Sequence, residues 1–202
     1  MKNIILEKNT FDKPQIQLTV QRVEASEWKN LQFDKHHYLT ADINKSCKCL
    51  LFSWNDTPVA FVGILNTPRK GYPHDCAISR IVILPDYQGL GLSSIILNFC
   101  GGIIKSLGED YRLLIKTIHA KMGKHLTKCN EWLPTAFNGK QRTKTDYEKG
   151  KYNNRFERLS YCFKYNGLEI KGYEELLLPI NELRNNKKNI KTPMLLFNND
   201  IY

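Results

Sequence analysis

From Gln15 to Val23 the chain alternates strictly, with Ile16, Leu18 and Val20 on one side and Gln17, Thr19 and Gln21 on the other. That is the period of a half-buried strand, whose successive side chains point to opposite faces. Glu24 to Phe33 carries Trp28 and Leu31 on one face and Ser26 in a capping position, which predicts a helical segment. Two apolar runs, Cys49 to Trp54 and Val59 to Leu65, flank Asn55-Asp56-Thr57-Pro58, and the turn chemistry between them predicts an antiparallel hairpin. Pro68 to Pro73 contains Gly71 and reads as a loop, after which Cys76 to Leu84 is an aliphatic run long enough for a central strand.

Beyond Pro85 the period changes. From Gly91, the positions Leu92, Ile95, Ile96, Phe99, Ile103 and Leu107 recur at helical spacing and stop near Gly108, which predicts a helix of about four turns packed on the sheet. Gly101 and Gly102 lie inside it, each costing roughly 1 kcal/mol relative to Ala. Either another element packs very close there or the helix is weak. Arg112 to Ile118 predicts a strand, His119 to Cys129 a second helix, and Leu159 to Tyr165 a final strand. Asn138 to Glu157 is polar and basic without hydrophobic period and reads as a long loop or insertion. A basic, Asn-rich tail is expected from about residue 185, although Met194 to Phe197 could dock.

Length and composition narrow this picture. The 202 residues, 42% hydrophobic and 25% charged, fit one α/β domain over 1–202 with a real core. Met1 to Gln15 fits neither a signal peptide nor a membrane span, so a cytoplasmic location away from membranes is expected. Six cysteines are scattered, several within predicted strands or helices, and are expected to be free thiols. The net charge of +10 favours anionic partners, nucleic acid or a phosphorylated cofactor, without choosing between them. A Lys-, Asn- and Ile-rich chain also carries such a surplus for compositional reasons alone.

A strand ending at Pro85, a glycine-bearing turn and a helix starting at Gly91 place backbone N–H groups at a helix N-terminus, where the partial positive charge suits a pyrophosphate. Glycine at 89 and 91 removes the Cβ atoms that would hold a phosphate away. Ile83-Leu84-Pro85-Asp86-Tyr87-Gln88-Gly89-Leu90-Gly91-Leu92-Ser93 closely resembles the coenzyme A signature of the GNAT acetyltransferase superfamily, with small Ser93 in place of the last Gly or Ala. The predicted order of elements from Ile16 to Ile118 is also that of the superfamily.

The resemblance implies an α/β (α+β) fold in which a central mixed, mostly antiparallel sheet is flanked by helices and splayed at the cofactor site. It implies acetyl-CoA as co-substrate and acyl transfer from its thioester to an amine. The backbone of Ile81, Val82 and Ile83 would bond the pantetheine arm, and the N–H groups of Gln88, Gly89, Leu90, Gly91, Leu92 and Ser93 the pyrophosphate. A base takes the amine proton, an acid protonates the leaving thiolate, and backbone donors polarise the thioester carbonyl.

The catalytic groups are less legible. Many family members carry a glutamate base on the strand before the motif, where this chain reads Asp75-Cys76-Ala77-Ile78-Ser79-Arg80. Alternation places Asp75 on one face, as a candidate base or a turn-bonding residue, and Arg80 on the other. Arg80 needs a carboxylate, a phosphate or solvent, whether for structure or for substrate. His36 and His37 lie in the region that lines the acceptor side in this fold and are further candidates for the base. The helix from His119 to Cys129 lacks the Tyr that often serves as acid, so His119, His125, Cys129 or a Tyr of the last strand would replace it. Cys47, Cys49, Cys76, His36, His37 and His74 have poor spacing for a standard zinc site, and no metal is expected.

Two other functions are compatible with the residues. The basic segment 138–158, with the aromatics Tyr147, Tyr152, Phe156, Tyr161 and Tyr165, could bind nucleic acid, with Mom-type phage DNA-modification enzymes as a superfamily analogy. The missing glutamate and tyrosine would also fit a non-catalytic CoA-binding module.

Overall fold

A computed structural model of the chain describes residues 17–37, 42–141, 159–180 and 192–195. Strand β1 (Gln17–Val23) leads into a single helical turn, α1 (Glu27–Asn30), and a 3-10 turn, Phe33–His36. The predicted helix stops early because Gln32 takes a left-handed φ of 58°. Ser26 sits at helical angles and its hydroxyl makes no capping bond. Strands β2 (Lys48–Trp54) and β3 (Thr57–Asn66) form the expected hairpin, its turn at Asn55 and Asp56 with positive φ at both. Then come β4 (Asp75–Ile83), helix α2 (Leu92–Lys105), β5 (Arg112–Thr117), helix α3 (Ala120–Lys128), β6 (Trp132–Pro134), β7 (Tyr161–Tyr165) and β8 (Thr192–Leu195).

The strands make one eight-stranded sheet in the order β6-β7-β5-β4-β3-β2-β1-β8. Among the described residues only β4 and β5 run parallel; every other pair is antiparallel. The sheet divides the core in two. On one face Leu50, Val62, Ile64 and Ile78 pack with Leu92, Ile96 and Ile103 of α2 and Leu126 of α3. On the other, Cys49, Leu51, Phe61 and Val82 pack with Trp28 and Phe33.

Sheet pairing itself opens the site. β5 pairs with β4 only from Asp75↔Arg112 to Ile78↔Ile115. Beyond that point β4 stays with β3 as far as Ala60↔Ile83, while β5 stays with β7 as far as Thr117↔Tyr161. The two strands therefore part. A bulge at Ser79, where the register skips from Ile64↔Ile78 to Gly63↔Arg80, adds local twist at the fork. It also inverts the alternation. Cys76 and Ile78 face α2 before the bulge, and Ile81 and Ile83 pack on that side after it. Val82, and Arg80 in step with it, face α1 instead.

The two glycines inside α2 mark close packing. A Cβ on Gly101 would collide with the Tyr165 ring and one on Gly102 with Ile170, whose N–H donates to the Gly102 carbonyl at 3.0 Å. β6 and β8 lie outside the predicted strands; β8 overlaps the stretch expected to dock and pairs with β1. Of the basic insertion, Asn138 to Lys140 is tied to the start of β7 by Gly139 N–H to the Ser160 carbonyl at 2.9 Å. Residues 142–158, most of the expected nucleic-acid-binding segment, lie outside the described residues. No helix among the described residues is long and apolar enough to cross a membrane.

Candidate functional site

A cavity of about 730 Å3 fills the fork between β4 and β5 and is lined from both sides of the sheet. From the α2 side come Gln88, Gly89, Gly91, Ser93, Ser94, His119, Lys121, Met122 and His125; from the α1 side come His36 and His37; and the fork itself contributes Ile78 to Ile83 and Ile115 to Thr117. A passage lined in this way connects the two faces of the sheet through its missing ladder.

At the α2 end, Gly89 and Gly91 have φ of 85° and 77°, left-handed values that disfavour any side chain. No described side chain caps α2, and while Ser94 N–H donates to the Gly91 carbonyl at 3.2 Å, the N–H groups of Leu92 and Ser93 are left for a ligand of the cavity. Gln88 Nε2 donates to the Ile83 carbonyl at 2.9 Å and folds the turn back on the strand. Leu84 N–H donates to Val59 O at 2.9 Å, so the peptide groups of Ile83 and Ile81, one and three residues earlier, point away from β3 into the fork. Of the residues expected to hold the cofactor, Ile81, Ile83, Gln88, Gly89, Gly91, Leu92 and Ser93 line the cavity. Val82 lines it too, although its side chain is buried toward Trp28 and Phe61. Leu90 does not line it, and its side chain is 47% exposed.

The cavity has the size of a small-molecule site. Its described lining contains Arg80, Lys116, Lys121 and four histidines but no Asp or Glu. An N-terminal helix turn, open glycines and a lining whose described charged side chains are all basic fit a phosphorylated acyl carrier such as acyl-CoA.

The catalytic candidates separate. Asp75 does not reach this cavity. Its carboxylate is fully buried at the far end of β4, where Oδ2 accepts from Arg69 Nε at 2.7 Å and Oδ1 from Arg112 Nε at 2.7 Å. The Arg112 guanidinium also covers the Tyr72 ring at 3.4 Å. The expectation of a base is thus replaced by an ion-paired clamp that holds the Arg69–Tyr72 loop to β5. Sequence alternation gives the face of a strand but not which of its ends reaches a cavity.

His36 and His37 are brought to the cavity by the 3-10 turn. His37 is half-buried and its ring meets Trp28 edge-on, centroids 5.7 Å apart; His36 is exposed. Arg80 also lines the cavity, with its Nη1 donating to the Ser79 carbonyl at 2.8 Å.

On the α2 side, His119 Nδ1 caps α3 by accepting from Met122 N–H at 3.2 Å, and Thr117 Oγ1 accepts from His119 N–H at 3.0 Å. Deeper in the cavity wall, His125 Nε2 lies 2.6 Å from Ser94 Oγ and 3.3 Å from Cys129 Sγ. His125 and Cys129 share a helix face at i, i+4, a signal readable in the sequence. Ser94, on another helix, carries no such signal. Cys49 Sγ donates to the Cys47 carbonyl at 3.6 Å within the smaller core cluster, and no group of three or more metal-ligating side chains occurs among the described residues.

Comparison with known proteins is consistent with this geometry. A family model described as "Acetyltransferase (GNAT) family" matches residues 16–121. No curated protein matches the chain. Among solved structures, Arabidopsis thaliana Naa50 in complex with the bisubstrate analogue CoA-Ac-MVNAL aligns with a TM-score of 0.54 at 15% identity, over 74% of this chain and 99% of that one. The ribosomal-protein-S18-alanine N-acetyltransferase from Escherichia coli aligns at 0.52 and 12%, over 77% and 96%. The spermidine N-acetyltransferase from Vibrio cholerae aligns at 0.53 and 9%, over 74% and 93%. At these identities the likeness is one of fold.

Proposed function

Because this chain belongs to the GNAT family of acetyltransferases, we propose that it moves the acetyl group of acetyl-CoA to an amine that approaches from the α1 side of the sheet. The observation that carries this reading is the cavity that pierces the sheet between β4 and β5, with an uncapped helix N-terminus on one side and a histidine pair on the other.

The N–H groups of Gly89, Gly91, Leu92 and Ser93 hold the pyrophosphate, and the Ile81 peptide group and the Ile83 N–H bond the pantetheine amides. Acetyl-CoA, when bound, supplies a thioester carbonyl activated for attack. Backbone donors of β4 in the fork stabilise the negative charge that builds on its oxygen. His37, its ring held by Trp28, accepts the proton that the amine loses as the new C–N bond forms. His125, held by Ser94 and Cys129, gives a proton to the sulfur as the C–S bond breaks. One proton is taken and one given, so the net charge of the protein is kept, and exchange with solvent removes the proton from His37 and restores it to His125 before the next turnover.

The test is free-thiol release from acetyl-CoA with pooled small amines and peptides, by wild type and by Gly91→Trp, alongside CoA binding by calorimetry. Turnover with one pool and its loss in the variant are expected, because the new side chain fills the phosphate cradle. Tight CoA binding without turnover in any pool would replace catalysis by a binding role. No CoA binding would overturn the reading altogether.

A further inference from the structure

The acceptor side of the cavity carries a cation that nothing in the site yet uses. Arg80 follows the bulge at Ser79, and the inverted alternation sends it with Val82 to the α1 face, away from the phosphate-binding end of α2. Its charge is felt there by Cys47, a member of the smaller core cluster, where it opposes the upward push of burial on that thiol. Arg80 Nη1 donates only to the carbonyl of its own neighbour Ser79, and its Nε is buried with no hydrogen-bond partner among the described residues. No described carboxylate forms a salt bridge with it. A buried, unmet guanidinium donor is costly unless a ligand completes it. The Nε–Nη edge of a guanidinium can hold an oxyanion in a bidentate fork.

We infer that the amine acceptor carries an oxyanion, a carboxylate or a phosphate, which Arg80 binds beside His36 and His37. This rests on the acyltransferase reading above and names the class of its second substrate. An acceptor that is only a polycation meets no described carboxylate in the cavity and is repelled by Arg80 and the basic lining. The same cation assists the chemistry. A positive charge near the acceptor disfavours its ammonium form and so raises the share of free amine that can attack the thioester. Where the family resemblance implies a glutamate on this strand, a cation thus performs part of the same task by a different route.

The experiment compares kcat/KM for pairs that share an amine and differ in the anion: amino acids against their α-amides, and phosphoethanolamine against ethanolamine, with spermidine as polycation. Wild type is expected to favour one anionic set by about 10- to 100-fold, the two arms separating carboxylate from phosphate. Arg80→Met abolishes that preference through acceptor KM while the acetyl-CoA KM stays at its wild-type value and the thermal midpoint of the free protein does not fall, and Arg80→Lys restores part of the preference. A wild-type preference for spermidine or for the neutral partners, or a preference that survives in Arg80→Met, overturns the inference but leaves acyl transfer standing.

Acetate and inorganic phosphate are also titrated into free and CoA-loaded protein, reading the ring signals of His36 and His37 by NMR. This scores the inference even if no amine of the panel is acetylated. Saturable shifts in wild type that vanish in Arg80→Met support it; their absence from wild type overturns it. Loss of CoA binding is read separately by calorimetry and falls on the acyltransferase reading alone.

Discussion

Each side chain of the site owes its chemistry to what holds it. His37 rests against Trp28, which is buried, so the imidazole is presented in one orientation to the acceptor side. In the role of base proposed for His37, a side chain contributes about 10²- to 10⁴-fold, so His37→Gln should lower kcat by that range, with little change in acetyl-CoA KM. The rise of activity with pH that reports a base losing its proton should disappear in the same variant. Exposed His36, replaced in the same way, should leave both in place. Asp75 makes the opposite case. Asp75→Asn removes the charge between Arg69 and Arg112 and should cost about 3 kcal/mol in urea unfolding. Its kcat, measured where the variant is folded, should match wild type, because the clamp lies outside the cavity.

At the level of elements, the glycines of α2 show helix propensity giving way to packing. Gly101→Ala improves the helix but drives a methyl group into the Tyr165 ring, and overpacking of this kind costs roughly 1–3 kcal/mol. A lower thermal midpoint in Gly101→Ala is therefore expected, partly restored by adding Tyr165→Leu. The elements legible in the sequence were those whose signal is local. The alternation of β1, the Asn55-Asp56 turn of the hairpin and the helical period from Leu92 to Ile103 each arise within a few consecutive residues. So does the demand for glycine at 89 and 91, where the structure has positive φ at one end of the cavity. β6 and β8 escaped because each is short and contains a proline, and exists as a strand through its partner, β7 or β1. The Ser94–His125 contact and the Asp75–Arg112 clamp join residues far apart in the chain and have no periodic trace. The bulge at Ser79 is a property of strand pairing, and it reversed the face on which simple alternation had placed Arg80.

Across the whole molecule, the buried thiols set a limit on the alkaline side. Burial pushes Cys49 up to about 12 and raises Cys47, Cys76, Cys100 and Cys162, all of them free and buried. In the unfolded chain a thiol ionises near about pH 8.5. The folded state keeps the neutral thiol, so this contribution to stability is complete below that pH and is lost as pH rises toward the folded value. The urea midpoint, read by tryptophan fluorescence in reductant, should hold between about pH 7 and 8 and fall steadily from about pH 9 to 11. The divided sheet has a consequence for kinetics. In the proposed reaction the fork admits one substrate from each side of the sheet, so the two have separate doorways and neither blocks the other's departure. Initial-rate plots should therefore intersect as for a ternary complex. Free CoA should compete with acetyl-CoA but not with the acceptor, and the acetylated product with the acceptor but not with acetyl-CoA.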